Sequence, residues 1–167
     1  VWPAQALHLL EQQGADALGI TLDELMLRAG QAAYEHARAT WPEAQHWLIL
    51  CGHGNNGGDG YVMARLAQSA GIRVTVIACE SSKPLPDEAQ RAQEAWLDAG
   101  GVLHSTQKAW PQQVDLIVDA LLGTGINRPI AEPYAHLITL ANAHPAAIFS
   151  LDMPSGLSAT FGIAFGE

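Results

Sequence analysis

Residues 51–60 read CGHGNNGGDG and close an apolar run, Trp47-Leu48-Ile49-Leu50-Cys51. Five glycines, two asparagines and an aspartate in ten positions are poor packing material. Glycine loses more backbone entropy on ordering than any other residue, and Asn-Gly pairs favour turns. An apolar run that stops at such a segment reads as a buried strand ending in a ligand-binding loop. In an open parallel sheet, ligands lie beyond the carboxyl ends of the strands.

The segments on either side keep that grammar. Tyr61–Ala70 reads as a helix with Gly71 as its stop. Ile72–Cys79 reads as a strand rich in β-branched residues. Lys83-Pro84-Leu85-Pro86 is a linker, and Asp87–Ala99 a helix stopped by Gly100-Gly101. Val102–His104 and Leu116–Val118 read as strands, Ala131–Ala143 as a helix with Pro133 in its first turn, and Ala147–Leu151 as the last strand. Upstream, residues 4–19 read as a helix. A second starts at Thr21, where Thr21-Leu22-Asp23-Glu24 matches a capping box. Its apolar positions Leu22, Leu25, Met26, Ala29, Ala33 and Ala37 recur at helical spacing, and Trp41-Pro42 ends it. Strands alternating with helices predict a parallel sheet covered on both faces.

Composition narrows the function classes. The chain has 167 residues, 49% of them hydrophobic and 15% charged, which predicts one globular domain. A net charge of −9 argues against nucleic acid and against an anionic membrane surface. It leaves room for a small phosphorylated ligand, because amides at a helix start hold phosphate without lysine. Cys51 and Cys79 each end a strand-like run and read as reduced and buried, in a cytoplasmic setting. No apolar run reaches the ~18 residues of a membrane span, and no signal-peptide pattern opens the chain. The first residue is Val1, and Phe161–Glu167 carries no clear pattern. A missing N-terminal piece and an incomplete C-terminal end are therefore expected.

Three strands end in polar loops: residues 52–60, 119–129 and 152–156. Their convergence on one crevice is the central expectation. Gly52, Gly54 and Gly57 match G-x-G-x-x-G, and Glu80 stands where the fingerprint places a ribose-binding acid. Asn55, Asn56 and Asp59 exceed what that fingerprint needs; Asp59 reads either as a ligand group or as a helix cap. In the second loop, Asp119 lies at a strand mouth, where a carboxylate is costly unless paired with a cation or with donors. Gly123, Thr124 and Gly125 offer amides to a phosphate and Arg128 a guanidinium. In the third, Pro154-Ser155-Gly156 makes a tight turn that presents Asp152 and Ser155 to the crevice. Ser155 lacks the G-x-S-x-G context of a nucleophile. His53 reads as a polar wall or a hydrogen-bonded structural group. Asn56, Asp119 and Ser155 supply only oxygens, which suits a hard cation; one carboxylate among neutral oxygens suits a monovalent one.

Together the loops resemble the YjeF N-terminal domain family of NAD(P)H-hydrate epimerases, which includes the apolipoprotein A-I binding protein. The segments that carry the resemblance are Leu25 to Gly30, Gly52 to Gly60, Asp119 to Gly125 and Asp152 to Leu157. It covers about residues 15–160. It implies a Rossmann-like three-layer α/β/α sandwich with a mostly parallel central sheet, usually as a homodimer. The implied substrate is NADHX or NADPHX, hydrated on the nicotinamide ring. Asn55, Asn56, Gly57, Gly58, Asp59, Gly123, Thr124, Gly125, Ile126, Asn127, Arg128 and Pro129 would hold the dinucleotide. Asp152 would face the hydrated ring as acid/base, and Asn56, Asp119 and Ser155 would bind K⁺. A fused or separate dehydratase is an implied partner, although no dehydratase segment lies in these residues. Two other readings stand beside this one: an NAD(P)-dependent oxidoreductase using the literal fingerprint, and a non-catalytic binding module that has kept the fold.

Overall fold

The computed structural model describes residues 4–126, 128–159 and 161–165, with side chains from residue 9 onward. These residues form five helices and five strands: α1 (Ala4–Leu18), α2 (Leu22–Thr40), β1 (His46–Cys51), α3 (Asn55–Ser69), β2 (Arg73–Ala78), α4 (Asp87–Asp98), β3 (Leu103–His104), β4 (Leu116–Ala120), α5 (Tyr134–Ala143) and β5 (Ala147–Ser150). The strands make one sheet in the order β3-β2-β1-β4-β5, and every pair within it is parallel. The connection from β3 to β4 crosses back over β1. The strand order therefore reverses between β1 and β4, which is the switch point of a doubly wound fold.

All six residues of β1 are buried, as a central parallel strand covered on both faces requires. Side-chain alternation divides the core. Trp47, Ile49, Cys51, Val76, Leu116 and Val118 pack with Ala37 of α2, Tyr61, Ala64 and Ala67 of α3, and Trp96 of α4. Leu48, Leu50, Ile77 and Ile117 pack with Leu137 and Ala141 of α5. Each fully buried leucine or isoleucine of this kind contributes about 2 kcal/mol. Cys51 and Cys79 lie in opposite clusters and both are free thiols. Burial pushes the Cys79 thiol up to about 12.

Five local readings change. The Asn-Asn-Gly-Gly-Asp stretch is not a loop before a helix at Tyr61: it is the start of α3, which begins at Asn55. Asp119 does not follow its strand but lies within β4, in register with Leu50 and Ser150. α5 starts at Tyr134 and not at Ala131, and β5 ends before Leu151. The capping box is half formed: Thr21 Oγ1 accepts the Glu24 N–H at 3.1 Å, but the Glu24 carboxylate turns to Arg28 at 2.6 Å.

The glycines explain why α3 starts early. Glycine in a helix costs about 1 kcal/mol relative to alanine, so propensity alone argues for a loop. Close packing overrides it. A Cβ on Gly57 would drive into the Gly52 carbonyl, and a Cβ on Gly52 into the Leu121 carbonyl. The first turn of α3, the end of β1 and the segment after β4 thus touch backbone to backbone.

Candidate active site at the switch point

That backbone contact leaves a cleft of about 640 Å³ above β1 and β4. Asn55, Asn56 and Asp59 line it from α3, Leu121 to Gly125 from the segment after β4, and Asp152 from the segment after β5. Residues from all three polar loops therefore meet in one cleft.

Asp152 has φ 61°, the only positive value at a non-glycine among the described residues. The Met153 N–H reaches back to the Leu151 carbonyl at 2.6 Å. A two-residue span with positive φ at its centre is the rare, strained form of γ-turn. It holds the exposed Asp152 side chain over the second loop, where Oδ2 accepts the Thr124 N–H at 2.8 Å. Gly123 makes this approach possible, because a Cβ there would lie 2.6 Å from Asp152 Oδ2.

Asp59 is the fifth residue of α3 and caps nothing; the N-cap is Gly54, without a side-chain bond. Its carboxyl is mostly buried and receives no hydrogen bond from the described residues. Burial pushes it up to about 7, and the charges of Glu11 and Asp152 add to the effect. Both amide atoms of Asn56 are shielded from solvent and have no hydrogen-bond partner. A buried amide without partners costs about 1–3 kcal/mol, and the cleft is the place from which a ligand would supply them.

Asp119 and Ser155 form a separate node. Ser155 Oγ donates to Asp119 Oδ1 at 2.6 Å and its N–H to Oδ2 at 2.8 Å. Ser150 Oγ and the Leu121 N–H add bonds at 3.1 and 3.2 Å, and the Leu122 N–H donates to Ser155 Oγ at 2.9 Å. The expected burial cost of this carboxylate is met by four donors. Ser155 does not point at the cleft with Asp152; it faces Asp119, and both line a groove on the α5 side of the sheet. No hydrogen bond links Asn56 to either.

Other candidates are placed more simply. His53 Nε2 is 2.7 Å from the Lys83 carbonyl and its backbone N–H donates to Tyr134 Oη at 3.1 Å, so it ties the first loop down while lining the cleft. Ile126, Arg128 and Pro129 line a neighbouring cleft of about 440 Å³ that shares Gly123, Gly125 and Tyr134 with the first. Gly57 and Gly58 are buried packing positions. Glu80 is exposed and lines neither cleft, so the ribose-acid expectation finds no support there. Asn127 lies outside the described residues. Sequence reasoning missed Glu11 and Tyr134, both cleft residues. Neither sits in a motif, and only the packing of α1 and α5 brings them in.

A five-stranded parallel sheet of this order, with amide and carboxyl groups gathered at its switch point, defines a Rossmann-like α/β domain. The model of the family described as YjeF-related protein N-terminus matches residues 22–165, and the chain belongs to that family. It is 57% identical over 166 residues, 99% of its own length, to the bifunctional NAD(P)H-hydrate repair enzyme Nnr of Escherichia coli (strain K12), of which it covers 32%. It is 41% identical over 143 residues to the NAD(P)H-hydrate epimerase of Bordetella bronchiseptica, covering 86% of this chain and 62% of that one. The chain thus spans about a third of the length of the bifunctional relative. The crystal structure of yeast ynu0, YNL200c, superposes with a TM-score of 0.76 over 94% of this chain and 72% of that one, at 23% identity, and supports the fold. Among the described residues no helix is long and apolar enough to cross a membrane.

Proposed function

We propose that this chain epimerises the R and S forms of hydrated nicotinamide dinucleotides, NADHX and NADPHX, with Asp152 as an acid/base. The observation that carries the reading is the strained Asp152 turn, which holds a carboxylate over the Gly123-Thr124 backbone in a cleft lined by Asn55, Asn56 and Asp59. The names of the relatives supply the substrate class. The paired clefts on either side of Gly123 and Gly125 suit a two-lobed ligand.

The inverted carbon bears both a hydroxyl and the ring nitrogen. Inversion proceeds by C–O cleavage and re-addition of water, or by ring opening and closure. Either route moves a proton on and off a heteroatom, which is work for a positioned carboxyl group. The reaction is redox-neutral, so the dinucleotide is substrate and not cofactor.

The donor types fit K⁺. Asn56 Oδ1 is a shielded acceptor without a partner, and Asp119 and Ser155 add further oxygens, as a hard cation prefers. Asn56, Asp119 and Ser155 would hold the ion, and its chemistry would be that of a fixed positive charge ordering the three loops. Homodimerisation and a downstream dehydratase belong to the same proposal.

Chiral chromatography of R-NADHX incubated with the protein, with and without K⁺, tests the reading. Appearance of the S form is expected; its absence under both conditions removes the assignment. An NAD(P)-dependent oxidoreductase would instead change the absorbance of NAD⁺ in the presence of a reductant, and none is expected.

A further inference from the structure

Resting on the epimerase reading, we infer that Asp59 is a second catalytic carboxyl: it carries the proton delivered to the departing hydroxyl, while Asp152 receives the proton of the returning water.

The two groups line one cleft from different elements, Asp59 from α3 and Asp152 from the segment after β5, in opposite environments. Asp152 is exposed and already accepts an N–H from Thr124 at 2.8 Å. Asp59 is half-buried in the cleft wall, and no donor among the described residues reaches it. Its neighbours repel a negative charge. Glu11 of α1 and Asp152 act on it directly; Glu88 of α4 lines the small cavity beside it and lies 3.9 Å from the Arg91 guanidinium. From α2 that cavity receives only Leu22, Leu25, Met26 and Ala29. His53, on the far wall, gives its Nε2 to the Lys83 carbonyl. No lysine or arginine lines either space. Asp59 is thus pushed up to about 7, by burial first and then by Glu11 and Asp152. Carboxyl groups whose environments separate their proton affinities serve as an acid and base pair. The unpartnered amide of Asn56, one helical turn before Asp59, independently marks this wall of the cleft as facing a ligand.

The step balances. The Asp59 O–H transfers its proton to the substrate hydroxyl and the C–O bond breaks. Water leaves, the ring nitrogen shares its lone pair to form an iminium, and Asp59 becomes a carboxylate. Water then adds to the other face of the carbon, its electron pair forming the new C–O bond. Asp152 takes the released proton. The enzyme ends with the proton moved from Asp59 to Asp152, which is the state required for the reverse conversion. Transfer between the two carboxyls through cleft water resets it for another forward turnover.

Two measurements on Asp59→Asn test this. The variant is expected to lose about 100-fold or more in kcat on R-NADHX, with KM and NADP⁺ binding near those of the wild type. A merely structural role would shift KM and binding together with kcat. Infrared spectroscopy is the second readout and needs no turnover. The wild type is expected to show a protonated-carboxyl band that disappears as pH rises through about 7, and Asp59→Asn to lack it. Wild-type kcat in the variant, or a band that persists in it, overturns the assignment. Wild-type protein that leaves R-NADHX unchanged removes the epimerase reading itself, a result seen before any variant is compared.

Discussion

Asp119 and Asp59 are both aspartates within regular structure near the same sheet edge, yet their surroundings are opposite. Asp119 is buried to 7% exposure and answered by four donors from Leu121, Ser150 and Ser155. Asp59 has no donor among the described residues and feels the charges of Glu11 and Asp152. A carboxylate answered by four donors acts as a clasp, joining β4 to the turns after β4 and β5. A carboxyl left without donors among like charges makes the fold less stable than it need be, and such sites are where function is found.

The contrast breaks most readily at Asp119. Asp119→Ala would leave the Ser155 and Leu121 N–H groups and two hydroxyls without their acceptor. We expect a loss of about 3–5 kcal/mol, since each buried donor left without its acceptor costs about 1–3 kcal/mol and local relaxation recovers part of the sum, read as the midpoint shift in urea unfolding. A loss below about 1 kcal/mol, the size of an ordinary neutral hydrogen bond, would show that the clasp is not structural.

Asp59 should behave in the opposite sense. Its folded-state pKa of about 7 lies above the ordinary carboxyl value of 3.8, so between these values the folded protein binds the extra proton. Its contribution to stability is full below about 3.8 and is lost as pH rises through about 7. Asp59→Asn should therefore stabilise the protein above pH 7, by about 2 kcal/mol after allowance for solvent screening, and leave it unchanged in acid. Thermal melts of both proteins across that range check the sign. Equal shifts at every pH would mean that the substitution acts through packing.

The smallest effect sharpens the clasp. Ser150→Ala removes one of the four donors, at 3.1 Å, and leaves the Ser155 bonds intact. A loss of about 1 kcal/mol is expected, with epimerase turnover close to the wild type. A loss as large as that of Asp119→Ala would relocate the clasp from Ser155 to Ser150.

Much of the fold is legible in the sequence. The runs 47–51, 72–79, 116–118 and 147–151 each hold a strand; in the central β1, buried throughout, burial on both faces needs a near-continuous apolar segment. What misled was local propensity at the site. Asn55 to Gly58 reads as a turn by composition, yet it is helix, because Gly57 permits contact with Gly52, and Gly58 with Met26 and Ala89, that no larger residue allows. Asp119 reads as a loop residue because a strand interior rarely holds a charge, and its four donors come from residues 2 to 36 positions away.

The site itself divides along the same line. From residue order alone came the three polar loops and the chemistry of the groups they carry, since a motif is a local property of the chain. Which of those groups meet was decided only by the packed sheet. It put Asp152 against Thr124 and Asp59 near Glu11, and it gave Ser155 to Asp119 instead of the cleft with Asp152. A carboxyl group's role depends on the donors and charges within a few ångströms of it, and those come from segments that are distant in the chain.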